Sequence, residues 1–164
     1  MAYKIIVFAP AAGGKSSLVN YLRAHTDLTV REIDEEILRA NNYSWPEDRD
    51  YKETVIVPGI SQKVIDMDSV VYFTYRMPID YIRKARDRGF QVILLNVGIA
   101  ELERRNLKRM AEQGYDDISH WFDIQLRNYA DLNRQGLIDR VLDGQRPSPE
   151  IAEDIIRMAE GRYN

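Results

Sequence analysis

The chain has 164 residues, a formal net charge of −3 and no cysteine. That length suits one domain with a substantial core, and the lack of thiols excludes a disulfide framework and any thiolate metal site. No apolar run approaches the length needed to span a bilayer, and the acidic balance argues against unspecific coating of nucleic acid. Met1-Ala2-Tyr3-Lys4 leads directly into an apolar segment without a secretory pattern. A single cytoplasmic domain over residues 1–164, with no membrane association, is the expectation.

Residues 4–9 read as a buried strand, and Leu18-Val19 belong to an amphipathic helix that follows a small-residue turn. The turn carries Gly13-Gly14-Lys15-Ser16 at the helix entrance. Backbone N–H groups at such a junction face phosphate oxygens, with the positive end of the helix behind them. Lys15 is placed to reach the β and γ phosphates and Ser16 to ligate Mg²⁺. The nucleotide-binding candidates are therefore Ala12, Gly13, Gly14, Lys15, Ser16 and Ser17. Ala9 stands where the pattern G-x-x-x-x-G-K-[ST] begins with glycine, and Ala12 also replaces a frequent glycine. The bland alternative is an ordinary strand–turn–helix with a surface lysine.

A second strand at 28–33 ends at Asp34-Glu35-Glu36. Ligands of open parallel sheets lie beyond the carboxyl ends of the strands, so Asp34 points towards the phosphate loop. It could take a proton from an attacking hydroxyl or orient Mg²⁺ through water. Equally, the three acids could cap a helix. Residues 41–60 contain Asn41, Asn42, Pro46, Pro58 and Gly59, which predicts a long irregular connection. Tyr43, Trp45, Tyr51 and Tyr75 are candidates for stacking on a base, with plain packing as the alternative.

The third strand, 69–75, lacks a terminal aspartate to steady Mg²⁺; Asp66 and Asp68 precede it, and Thr74 holds the vacant place. Arg76 either grips an anionic acceptor or lies on the surface. Arg83, Lys84, Arg86 and Arg88, interspersed with Asp80 and Asp87, read as a solvated helix face before the fourth strand at 90–96. Arg104, Arg105, Lys108 and Arg109 form a second basic cluster, and four-residue spacing puts Arg105 and Arg109 on one helical face. Gln135-Gly136 stops a helix, a fifth strand spans 138–142, and Ser148-Pro149-Glu150 opens the last helix. His25 and His120 show no metal-ligand spacing, and Trp121 and Phe122 read as core residues of a helix. Alternation of strands and helices gives an α/β protein with a parallel sheet.

On Ala9 to Ser17, Asp34, and Glu103-Arg104-Arg105-Asn106-Leu107-Lys108-Arg109, the chain resembles small P-loop kinases related to adenylate, shikimate, gluconate, polynucleotide and zeta-toxin kinases. The resemblance implies a three-layer P-loop NTPase fold with a five-stranded parallel sheet and a helical lid at about 104–118. It implies ATP and Mg²⁺ as cofactors, with Arg105 and Arg109 held over the triphosphate. The run from Arg109 to Ile118, followed by Arg127-Asn128-Tyr129, resembles a lid leading into a helix whose arginine faces the active site, which suggests Arg127. The segment 141–150, with Arg146, resembles the loop that packs on adenine. Lys15, Asp34, Arg105 and Arg109 are thus the catalytic candidates, with Asp34, Arg76 and Arg127 on the acceptor side. The implied reaction moves the γ-phosphoryl group of ATP·Mg²⁺ to a hydroxyl on a nucleoside, a sugar-like metabolite or a polynucleotide 5′ end. A nucleotide monophosphate kinase, a toxin-like kinase and a non-catalytic ATP-binding switch are the alternatives.

Overall fold

The computed structural model describes residues 2–163. Strands β1 (Lys4–Phe8), β2 (Val30–Glu32), β3 (Val70–Thr74), β4 (Gln91–Asn96) and β5 (Arg140–Asp143) form one parallel sheet in the order β2-β3-β1-β4-β5. Central β1 aligns Ile6 with Tyr72 of β3 and with Val92 of β4. Both faces of the sheet are covered, which is why the strands read as nearly unbroken apolar runs rather than alternating ones.

Period-two geometry sends Ile6, Phe8, Tyr72 and Val92 to one face and Ile5, Val7, Val71, Phe73 and Ile93 to the other. The first face packs on α2 (Ile33–Ala40), α4 (Val57–Ile65), α5 (Ile79–Asp87) and α7 (Phe122–Arg134). The second packs on α1 (Lys15–His25) and α8 (Ser148–Ala159), through Leu18, Leu22, Ile151 and Ile155. The result is three layers. Because β1 feeds a strand on one side while β3 crosses over it to β4, a crevice opens at the carboxyl end of β1, where such sheets bind ligands.

The region 41–60 differs from its expected irregularity. Asp48 Oδ1 accepts from the N–H groups of Asp50 and Tyr51, capping the short α3 (Arg49–Tyr51). The chain continues through a π-helical turn, Lys52–Ile56, directly into α4. Ile56, Val57, Ile60 and Val64 bury one stripe, and this burial outweighs the local breakers. Pro58 lies in the first turn of α4, directly after the π-helical turn.

The second strand is also shorter than expected. Glu32 is the N-cap of α2, its carboxylate accepting from the N–H groups of Asp34 and Glu35, so Ile33 already belongs to the helix. Helix α6 (Ile99–Gln113) ends at left-handed Gly114, and a 3₁₀ turn (Ser119–Trp121) precedes α7. No helix among the described residues is long and apolar enough to cross a membrane.

Candidate active site

The loop after β1 is held tightly. Gly13 donates to the Pro10 carbonyl at 2.8 Å, and a Cβ on Gly13 would lie 2.7 Å from that oxygen and 2.8 Å from Pro10 Cδ. Only glycine fits. Gly14 then adopts φ +93° as the residue before α1, and α1 begins without a side-chain cap. Its first-turn N–H groups therefore point into the crevice, the donor set a phosphate requires. Ser16 and Ser17 are exposed there.

Lys15 is reachable from the crevice yet closely surrounded by protein. Desolvation pulls its ammonium below the ordinary lysine range, Asp34 and Glu32 oppose that shift, and Arg109 adds to it. The Tyr75 ring stands 5.8 Å from Lys15 Nζ. Burial, reinforced by Asp34, pushes the Tyr75 phenol up to about 12. Glu32 is buried at 8% exposure, and its carboxyl rises above the usual range, first from desolvation and then from Asp34. Thus two carboxylates of the β2–α2 junction face the phosphate-loop lysine.

Lys15, Asp34 and Tyr75 line one crevice of about 1180 Å³. Nine lysine and arginine side chains line it against three carboxylates, in a chain whose net charge is −3. Such concentration of positive charge suits a polyanionic ligand. Arg105 spans the crevice from α6, with Nε 3.0 Å from Glu101, Nη1 3.4 Å from the Ala12 carbonyl and Nη2 3.2 Å from the Gly144 carbonyl. Arg109, one turn on, stacks over Tyr115 at 4.8 Å. Arg146 also lines the crevice, held by buried Asp154 at 2.8 Å.

The structure gathers Ala12, Gly13, Gly14, Lys15, Ser16, Ser17, Asp34, Arg76, Arg105, Arg109 and Arg146 around this crevice. Arg127 is not among them: it is 79% exposed and pairs with Asp123, because its position on α7 points outward. Thr74 does not replace the missing strand-three acid. Its buried hydroxyl donates to the Arg76 carbonyl and accepts from the Arg76 N–H, turning the chain at the strand end. Trp45 and Tyr75 line the crevice, whereas Tyr43 and Tyr51 do not. Phe122 is core as expected, but Trp121 faces the crevice with Arg49 stacked on it at 4.9 Å.

Arg49, Lys52 and Glu53 also line the crevice, with Glu53 bonded to Arg76 and 3.4 Å from Lys52. Sequence reasoning missed them because the helix that presents them was not expected; the cap signal Asp48 followed by Asp50-Tyr51 was the available clue. Glu32 escapes a sequence reading because a strand over 28–33 places it inside the strand and Asp34 at its end, whereas it caps α2.

No family model matches the chain, and no curated protein sequence matches it. Solved structures do. A gluconokinase from Sinorhizobium meliloti 1021 is 19% identical, with a TM-score of 0.66 over 97% of this chain and 94% of that one. A shikimate kinase from Aquifex aeolicus is 17% identical, with a TM-score of 0.69 over 96% of each chain. A shikimate kinase from Acinetobacter baumannii, solved in complex with shikimate, is 13% identical with a TM-score of 0.72 over 98% of this chain and 94% of that one. The chain has the three-layer α/β fold of these small P-loop kinases, with the crevice at the carboxyl end of β1.

Proposed function

We propose that the chain is an ATP·Mg²⁺-dependent kinase that transfers a phosphoryl group to a hydroxyl of a small molecule. The observation that carries this reading is the pairing of an uncapped α1 N-terminus, headed by Gly13-Gly14-Lys15-Ser16, with Asp34 across the crevice. The charge of the crevice and the close turn of the loop support a triphosphate there. Glycine at 13 lets the loop turn tightly against Pro10, and nine cations line the crevice around it.

Among the described residues no cluster of three His, Asp or Glu side chains is arranged to hold a metal. Mg²⁺ binds through few protein ligands plus phosphate oxygens and water. Ser16 is the hydroxyl that would hold it, with Asp34 available to its water shell. When bound, ATP·Mg²⁺ supplies the transferable group and part of the charge compensation.

The chain's own residues do the rest. The loop N–H groups and Lys15 hold the phosphates, and Arg105 and Arg109 on one face of α6 add positive charge over them. Asp34 accepts the proton of the attacking hydroxyl, whose oxygen forms the new P–O bond as the bond to the leaving phosphate breaks. A hydroxyl acceptor needs such a base, whereas a phosphate acceptor is already ionised near neutral pH. The acceptor wall carries Arg49, Lys52, Arg76 and Trp121, and the likeness to kinases named for gluconate and shikimate supports a small molecule there.

Calorimetric titration with ATP, with and without Mg²⁺, tests the cradle. Binding that weakens about 10- to 100-fold in Lys15→Ala, at unchanged fold, supports the proposal, since a charged hydrogen bond of that kind is removed. Equal binding by the variant refutes it.

A further inference from the structure

Ala12 holds φ +61°, a left-handed conformation that L side chains disfavour and glycine does not. The phosphate loop of this chain thus lacks the freedom of glycine where it needs a left-handed turn, and something must hold it there. The Ala11 N–H, immediately before that turn, donates to Gln125 Oε1 at 2.7 Å.

Gln125 comes from α7 and is presented by a helix fixed on either side of it. Three residues earlier, Phe122 is 1% exposed in a small core with Val97 and Leu102, and the methyl groups of Ala11 and Ala12 pack against that same core. Four residues later, Tyr129 donates from its hydroxyl to the Tyr75 carbonyl at 2.7 Å, and its ring tilts onto Phe8 of β1 at 5.8 Å. Residues 122, 125 and 129 share one helical face, so the acceptor oxygen is held in place by packing on both sides.

We infer that Gln125 is a positioning residue that presets the phosphate loop: its hydrogen bond to Ala11, with the alanine contacts to the Phe122 core, replaces the glycine conformations this loop lacks. The inference rests on the phosphate-cradle reading above. Gln125 also lines the crevice, and preorganisation of this kind raises affinity by lowering the ordering cost of binding.

The test uses Gln125→Met, which keeps length and removes the acceptor, and Gln125→Glu, which keeps an acceptor oxygen. In the unliganded protein, amide hydrogen exchange at Ala11 accelerates about tenfold in the Met variant and stays slow in the Glu variant, as loss and retention of one hydrogen bond predict. The dissociation constant of the non-hydrolysable analogue adenosine 5′-(β,γ-imido)triphosphate rises about tenfold in Gln125→Met. In an Ala12→Gly background the same change costs only about two- to threefold, because glycine adopts the left-handed turn without help.

Unchanged Ala11 exchange in Gln125→Met overturns the inference, as does an equal loss of affinity in both backgrounds. An unmodified chain that fails to bind the analogue overturns the phosphate reading and this inference with it, and the exchange arm, which needs no ligand, distinguishes the two failures.

Discussion

Replacing Gly13 by alanine tests the shape of the phosphate loop directly. The added Cβ would sit 2.7 Å from the Pro10 carbonyl oxygen, 2.8 Å from Pro10 Cδ and 3.1 Å from Pro10 Cγ. Neither neighbour can rotate away, since one is backbone and the other a ring closed on that backbone. The carbonyl also accepts the Gly13 N–H at 2.8 Å, so moving it lengthens that bond. Overpacking costs about 1–3 kcal/mol and a lost hydrogen bond about 1 kcal/mol, for a total of about 2–4 kcal/mol. At roughly 2–4 °C per kcal/mol for a chain of this size, the melting temperature falls by about 4–16 °C. Gly136→Ala is the control. Its φ is +72° with nothing within 4 Å of the added carbon, so only the backbone penalty of about 1–2 kcal/mol applies, away from the crevice lining. Thermal unfolding by circular dichroism, paired with calorimetric ATP titration, reads both effects. Gly13→Ala should lose stability and triphosphate affinity together, while Gly136→Ala keeps affinity. A Gly13→Ala protein with the unmodified melting temperature and affinity would refute the close turn at Pro10–Gly13.

Other consequences follow from the charges in the crevice. Lys15→Met should abolish phosphoryl transfer while leaving the protein as stable as before or more so at pH 7, because a desolvated charge is removed. The folded pKa of Lys15 lies below its ordinary value of 10.5. The unfolded chain therefore binds more protons between the two, and stability gains from this group as pH rises through that window; denaturant titrations at several pH values should show the gain vanish in Lys15→Met. Tyr75 shifts the other way. Its folded phenol titrates at about 12 rather than 10.0, so its contribution is lost as pH climbs through that interval, and Tyr75→Phe should delete a late step from the ultraviolet titration. Asp34→Asn should lower turnover by about 10²–10⁴ while nucleotide affinity, read by calorimetry, changes little; equal loss of both would assign Asp34 to binding rather than proton transfer.

Much of the fold is legible because its signals are local. The apolar run of β1, the glycine pair and the amphipathic start of α1 lie within sixteen residues, and period-two and helical patterns mark the remaining strands and most helices. The stretch 41–60 misleads for the opposite reason. Its prolines, asparagines and glycine argue for a loop, and only contact of Ile56, Val57, Ile60 and Val64 with the sheet makes the helix worthwhile. The Glu32 cap similarly shortens β2 through two side-chain hydrogen bonds that no propensity registers. Within the site, the cations of α6 were legible from four-residue spacing, which fixes a common face. Arg127 shows the limit of that reasoning: whether a helical arginine faces the crevice or solvent depends on the rotation of α7, set by Phe122 and Tyr129 in the core. Trp121 was assigned to the core by residue type, although Phe122 beside it fills that role. The Ala11–Gln125 hydrogen bond joins residues 114 positions apart, and no spacing rule reaches that far.

The most direct measurement is acceptor-stimulated ADP release from ATP·Mg²⁺ across a panel of sugars, sugar acids, nucleosides, nucleoside monophosphates and 5′-hydroxyl oligonucleotides, with the phosphorylated product identified by mass. The account predicts stimulation by a small hydroxyl-bearing acceptor, a product heavier by one phosphoryl group, and loss of both in Lys15→Ala. Tight ATP binding with no transfer to any acceptor would contradict the proposed catalysis and favour a nucleotide-binding switch.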